Sequence, residues 1–175
     1  MGVGKTVDIC TPPADLDHDI KVEDSTPAVN PETPAATTID LGEFYNQLHA
    51  DLYPLDAEGY STGPFVDDIA VMADMLEMYY PGLAALNPAQ VHVYLPMMSA
   101  VAYEVALVEV ANASDVDAVK AVLQARIDAQ VNGGAWYPET IEGWKNNSRI
   151  VTNGNYVMMV AASDFQAYID AFNAL

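Results

Sequence analysis

Cysteine is almost missing from this 175-residue chain: Cys10 stands alone. One cysteine excludes an internal disulfide and a cysteine-built metal centre within a single chain. Basic residues are also scarce, six lysines and arginines against 25 aspartates and glutamates, for a formal net charge of −19. Such a surface repels phosphate backbones and anionic lipid, which excludes nucleic-acid binding and membrane attachment through a basic patch. Apolar runs are short, and none approaches the roughly 18 residues of a membrane span. The first ten residues hold no apolar core of a signal peptide, so either the protein stays in the cytoplasm or its start lies downstream of a true export signal. Histidines number three, His18, His49 and His92, with no second His or Cys at ligand spacing, so no metal site is expected.

What is present fits a globular protein, with 51% apolar residues. The charge divides unevenly. Residues 1–39 carry seven acids and two lysines, and residues 40–175 carry eighteen acids and four bases, so the second part has a net charge of −14 by itself. Solubility accounts for that charge without an electrostatic partner. Pro12, Pro13, Pro27, Pro31 and Pro34 stand among Thr, Ala, Asp and Glu with no hydrophobic period. Residues 1–39 therefore read as a disordered tether rich in proline, threonine and acid, and residues 40–175 as a single domain.

The domain opens with Asp40 and Glu43 in a capping-box pattern, followed by Leu41, Phe44, Tyr45, Leu48 and Leu52 at helical spacing. A second helix is expected over about 65–80, with Phe65, Ile69, Met72, Leu76 and Tyr79 as its stripe. Gln90–Leu95 alternates as a strand, with Val91, Val93 and Leu95 inward, and Pro96 ends it. A second strand covers about 102–111. One of its faces carries Tyr103, Val105, Leu107 and Glu109; the other carries Ala102, Glu104, Ala106, Val108 and Val110. A helix follows over about 115–131 on the stripe Val116, Val119, Leu123, Ile127 and Val131, opened by Ser114 and Asp117. A short helix around 139–145 holds Trp144. Asn153-Gly154 predicts a type I′ hairpin between strands at 149–152 and 155–161. Ser163 and Gln166 suggest a capping box for a terminal helix with Phe165, Tyr168, Ile169, Phe172 and Leu175 on one stripe. The expected fold is α+β: a mostly antiparallel four-stranded sheet with helices packed on one face, in the order α-α-β-β-α-(α)-β-β-α.

Most motifs fail on chemistry. Gly4-Lys5-Thr6 ends like a P-loop but lacks the glycine five positions earlier and the strand before it. Asp15, Asp17 and Asp19 alternate as calcium ligands do, yet the sixth and twelfth loop positions are Ile20 and Thr26. Ser99 follows Met98 without a nucleophile elbow. Met97 and Met98 read as core filling rather than an adaptable contact surface. The sequons at Asn112 and Asn146 read as chance. Glu104 is the odd residue, an acid in mid-strand between apolar neighbours. If buried it needs a partner, from Arg126, Arg149 or Lys145; if exposed it is a surface acid; the third option is a functional group. Trp136, Tyr137 and Trp144 form either an aromatic platform for a sugar or peptide or a satellite core, and the second is the simpler account.

Several segments together resemble a known family. They are Leu95-Pro-Met-Met-Ser99, Ala102-Tyr-Glu-Val-Ala106, Val119-Lys-Ala-Val-Leu-Gln-Ala-Arg126, Trp136-Tyr-Pro138 and Gly154-Asn-Tyr-Val157. In order and spacing they resemble the domain of unknown function 4358 family, carried by predicted lipoproteins of Gram-positive anaerobes. The resemblance implies an α+β domain tethered outside the membrane through a lipidated cysteine, with no established activity. Cys10 departs from that pattern, because Val7-Asp8-Ile9 supplies neither the small residue nor the apolar stretch of a lipobox.

The sequence thus points to an uncharacterised domain attached to the cell surface, with a binding or envelope-scaffolding role. No catalytic site, metal or cofactor is identified. Glu104, Trp136 and Tyr137 are the candidate binding residues. The expected partner is an envelope protein, a peptide or a glycan, with no nucleic acid, no transmembrane helix in the chain, and a lipid anchor only if the true start lies upstream. Two alternatives stay open: an enzyme with a site near Glu104 and Trp136-Tyr137, and a cytoplasmic acidic adaptor. A deep pocket joining those residues with Glu104 at its floor favours the enzyme; a flat groove or closed core favours a binding or structural module.

Overall fold

The computed structural model describes residues 38–96 and 100–175. Residues 1–37 of the tether expected over 1–39, with Cys10, His18, the Gly4-Lys5-Thr6 motif and the alternating aspartates, lie outside the described residues. So do Met97, Met98 and Ser99.

The chain runs α1 (Leu41–Leu52), β1 (Asp67–Asp68), α2 (Ala73–Tyr79), β2 (Gln90–Leu95), β3 (Glu104–Glu109), α3 (Val116–Ala129), α4 (Pro138–Asn147), β4 (Ser148–Asn153), β5 (Tyr156–Ala161) and α5 (Phe165–Asn173). The strands form one antiparallel sheet in the order β1-β2-β3-β5-β4. The α+β class and the antiparallel sheet are as expected. The sheet has five strands, not four, because Asp67 and Asp68 pair with Leu95 and Tyr94.

The helices cover both faces of the sheet, which corrects the expectation of one covered face. α2, α3 and α4 pack on the side of Glu104, Ala106 and Val108 through Leu76, Val119, Leu123 and Trp144. α1 and α5 pack on the opposite side, where Leu41, Tyr45, Tyr168 and Phe172 meet Tyr103, Val105, Leu107 and Met158. The physical reason lies in the two central strands. Val105 to Val108 and Val157 to Ala161 are apolar at every position and all buried, so each strand needs cover on both sides.

Local chemistry decides the boundaries. Asp40 caps α1, accepting from the Glu43 N–H at 2.9 Å; such a cap is worth about 1 kcal/mol. The expected helix over 65–80 keeps only its second half. Asp68 accepts the Ala70 N–H at 2.9 Å and opens a 3-10 turn over Ile69–Val71. Short acidic side chains compete for backbone N–H groups in this way and stop an α-helix from starting. The expected stripe breaks accordingly: Phe65 is 82% exposed, while Ile69, Leu76 and Tyr80 are buried. α3 starts after a 3-10 turn at Ala113–Asp115, and neither it nor α5 has a side-chain cap. Asp164, at the start of α5, instead accepts the Tyr53 hydroxyl at 2.6 Å.

The hairpin forms one residue later than expected. Asn153 pairs with Tyr156, so Gly154 and Asn155 make the two-residue turn. Gly154 takes φ +57° while Asn155 keeps a negative φ, the pattern of a type II′ turn with glycine at its first central position. The side chain of Asn153 helps to hold it in the ladder, because its amide donates to the carbonyls of Phe172 at 3.2 Å and Leu175 at 3.3 Å.

Candidate functional site

Glu104 begins β3 opposite Ala161, whose small side chain leaves room beside it. The carboxylate is buried, at 2% exposure. Arg126 reaches it from α3, on the flank of the helix that buries Leu123 and Ile127. The pairing is bidentate: Arg126 Nε donates to Oε1 at 3.0 Å and Nη2 to Oε2 at 2.7 Å. The Tyr80 hydroxyl, just past α2, also donates to Oε1. Of the three bases expected as partners, Arg126 is the one that pairs. Lys145 lies near Glu142 at 3.7 Å, and Arg149 stands over the Phe165 ring at 4.3 Å.

Aromatic rings surround the guanidinium. Its central carbon is 4.6 Å from the Tyr79 ring centre and 5.5 Å from that of Trp144, distances at which a cation is attracted to a ring face. Burial works against the charge of Arg126, but the hydrogen bonds and charge of Glu104 outweigh it and raise its pKa above the usual arginine value. Burial, reinforced by the charge of Glu104, pushes the Tyr80 phenol well above its ordinary value, so Tyr80 stays a donor.

The ion pair is not sealed. It forms part of the lining of a pocket of about 230 Å³ between the sheet, the end of α3 and α4. After α3 the chain widens into a π-type turn over Gln130–Gly134, in which Asn132 and Gly133 leave helical geometry. That turn brings Gln130 and Gly134 to the pocket. α4 approaches closely because Gly143 has no side chain; a Cβ there would lie 2.6 Å from the Ala102 Cβ. Thr140 of α4 is buried and donates to the Ala100 carbonyl at 3.1 Å. Trp136 stands at the pocket edge with 84% of its surface exposed.

Of the three candidate binding residues, Glu104 and Trp136 line one pocket, and Tyr137 is exposed beside it without lining it. The satellite-core account holds for Trp144, which is buried, and fails for Trp136 and Tyr137. The Pro138 start of α4 explains the split: Trp136 and Tyr137 precede the helix in extended geometry, while Trp144 sits on its inward face. Tyr80, Gln130 and Thr140 were not expected at the site from the sequence. Tyr80 was hidden by a helical stripe anchored on Phe65; one counted from Ile69 and Leu76 would have reached it.

The opposite face holds a different polar group. Tyr45, Tyr103 and Tyr168 join hydroxyls in a chain, at 2.8 Å and 2.7 Å. Burial pushes all three phenols upward, Tyr168 to about 12 and the other two further. Nearby, Asp68 Oδ2 lies 2.8 Å from His92 Nδ1, and Asp68 Oδ1 accepts the Val93 N–H. His49 packs between Tyr45 and Tyr53 with its Nε2 buried and unpartnered among the described residues. Two wider depressions of about 480 Å³ each, one beside Tyr45 and His49 and one between α1 and α5, are more open to solvent.

No helix among the described residues is long and apolar enough to cross a membrane. No curated protein and no solved structure matches the chain. The family model described as a domain of unknown function (DUF4358) matches residues 70–162, more than half the chain and a span that contains Glu104, Arg126, Trp136, Thr140 and Trp144. The chain belongs to this family of domains of unknown function, DUF4358.

Proposed function

We propose that the domain is a binding module of the cell envelope, held at the cell surface, which receives one small chemical group in the pocket beside Glu104 and Arg126. The observation that carries this is a buried, bidentate ion pair left open to a pocket whose edge presents an exposed tryptophan. A buried ion pair is a poor device for stability alone, since well-packed apolar residues of similar volume often do as well or better. An indole left 84% exposed contributes little to the core. Both features gain a purpose if a ligand completes them.

The enzyme reading draws support from the same pocket, which has Glu104 in its wall. Against it, Glu104 is committed to three donors, from Arg126 and Tyr80, so it is not poised as a general acid or base. No other carboxylate, histidine or serine among the described residues lines the pocket. Binding without turnover therefore fits better. A surface location is supported by the lipoprotein context that the resemblance implies and by the proline- and threonine-rich composition of residues 11–38.

The test is a thermal-shift panel of short peptides and saccharides against the full chain and its Trp136→Ala variant. At least one compound should raise the melting temperature of the first and not of the second. A panel that treats both proteins alike would remove the basis of the proposal. Protease accessibility on intact cells tests the location; a protein degraded only after lysis is not displayed.

A further inference from the structure

The pocket beside Arg126 has a donor and acceptor pattern that selects among ligand classes, and we infer that its ligand is a single neutral pyranose unit, free or at the end of a glycan. This inference rests on the pocket being a binding site, as proposed above.

Charge comes first. Arg126 is the one basic side chain among the described residues that line the pocket, and Glu104 already neutralises it through two hydrogen bonds. The pair leaves no net charge to attract a carboxylate or phosphate. The surrounding domain is strongly acidic, with eighteen acids against four bases over residues 40–175, and repels anions further. A neutral ligand avoids both penalties.

Hydrogen-bonding capacity comes next. A guanidinium has five N–H donors in a fixed fork, and two of those on Arg126 go to Glu104, which leaves three. The Glu104 carboxylate offers about four acceptor positions, and Tyr80 and Arg126 fill three. Gln130 adds an amide that both donates and accepts, and Thr140 has a hydroxyl lone pair beyond the bond it gives to Ala100. The lining thus offers both donors and acceptors. A ring of hydroxyl groups, each able to donate and accept, matches this better than an amide or a hydrocarbon.

Shape and stacking agree. The volume, about 230 Å³, lies below the roughly 300–1,000 Å³ of pockets for drug-sized molecules, so it admits one ring rather than a chain. A pyranose has an apolar face of C–H groups as well as its hydroxyls. Trp136 at the edge offers a flat indole face for that side. Glycoside cleavage needs a pair of carboxylates, and Glu104 is the one carboxylate among the described lining residues. The pocket is built to hold the sugar, not to cut it.

The test uses the full chain with glucose, galactose and N-acetylglucosamine as neutral pyranoses, glucuronate as an anionic one, and N-acetylalanine as a carboxylate without a sugar ring. Binding is read by calorimetry and by saturation-transfer NMR. Variants are Trp136→Ala and Gln130→Ala at the pocket, and Phe65→Ala at a distant exposed aromatic. At least one neutral pyranose should bind saturably, and Trp136→Ala should weaken it about tenfold. Glucuronate should bind more weakly, and Phe65→Ala should change nothing. Equal affinity for a monosaccharide and its linked trisaccharide would mark a unit at a chain end; affinity for the monosaccharide alone would mark a free sugar; both support the inference. If N-acetylalanine binds in a Trp136-dependent manner and no pyranose does, the sugar inference falls and the pocket stands as a binding site. Pyranose binding that ignores both pocket variants would overturn the placement. Silence from every probe would overturn the inference and the binding reading together.

Discussion

The two faces of the sheet bury polar groups in opposite ways. Neighbouring residues at the start of β3 begin the two solutions: Tyr103, just before the strand, packs on the α1–α5 side, and Glu104, its first residue, faces the α2–α3–α4 side. On the first side, neutral hydroxyls bond one another in a chain of three tyrosines with Tyr103 at its centre. On the second, a full charge is buried, matched by a guanidinium and left beside a pocket. A neutral network carries no charge that must be compensated. An ion pair in a pocket wall costs more to build and leaves three guanidinium donors that Glu104 does not take. The contrast is consistent with the binding site proposed on the second face, where polarity could have been satisfied at lower cost and was not.

Removing one charge puts the contrast under the greatest stress. Arg126→Met should cost about 3–5 kcal/mol in urea unfolding, because it strands a buried carboxylate. Adding Glu104→Leu should recover most of that loss; a double variant as unstable as the single would show that the pair is the main support of this face. A smaller effect is expected across the sheet. Tyr103→Phe removes the central hydroxyl, which serves both Tyr45 and Tyr168, and should cost about 2 kcal/mol. Tyr45→Phe removes one bond at the end of the chain and should cost about half as much. Equal losses would mean that the hydroxyls do not act as a chain.

Two weaker effects refine the account of the tyrosine side. Asp40→Ala should lower stability by about 1 kcal/mol through loss of the α1 cap, whereas Ser163→Ala should stay within about 0.5 kcal/mol, since α5 has no side-chain cap. The smallest effect concerns His49. Burial lowers its pKa from 6.5, although the Pro64 carbonyl and the charge of Asp164 pull the other way. The unfolded chain then binds the proton first as pH falls. Stability from this group is complete above about pH 6.5 and declines as pH drops from there toward the lower folded value. Measured between roughly pH 5 and roughly pH 8, where histidine titrates, stability should depend less on pH in His49→Gln than in the parent chain.

Much of the fold was legible because local rules agreed. The Asp40 cap, the stripe of α3 and the two faces of β3 lie where period and capping put them, whereas in β2 Tyr94, on the face opposite Val93 and Leu95, is buried against Tyr45. The expectation of helices on one face failed because alternation is a weaker guide than run length here: Tyr156-Val-Met-Met-Val-Ala161 alternates in nothing and is buried from Val157 onward. The helix over 65–80 failed because Asp68, which lies off its stripe, accepts the N–H groups of Ala70 and Val93. In the site, Glu104 was conspicuous as an acid in the wrong company, and Arg126 was among its expected partners. The pocket was not legible. It depends on a π-type turn after α3, a glycine that lets α4 approach, and a proline that leaves Trp136 outside the helix, three features whose joint effect exists only in three dimensions.

β1 and β4 are the outer strands of the described sheet, and an outer strand presents unpaired backbone groups to any neighbouring chain. β1 is two residues long, too short to template much. β4 has six residues and carries Arg149, whose Nη1 donates to the carbonyls of Asn146 and Ser148 while its guanidinium covers Phe165. One margin is guarded by brevity and the other by a fixed charge, so the sheet resists growing by addition of further copies.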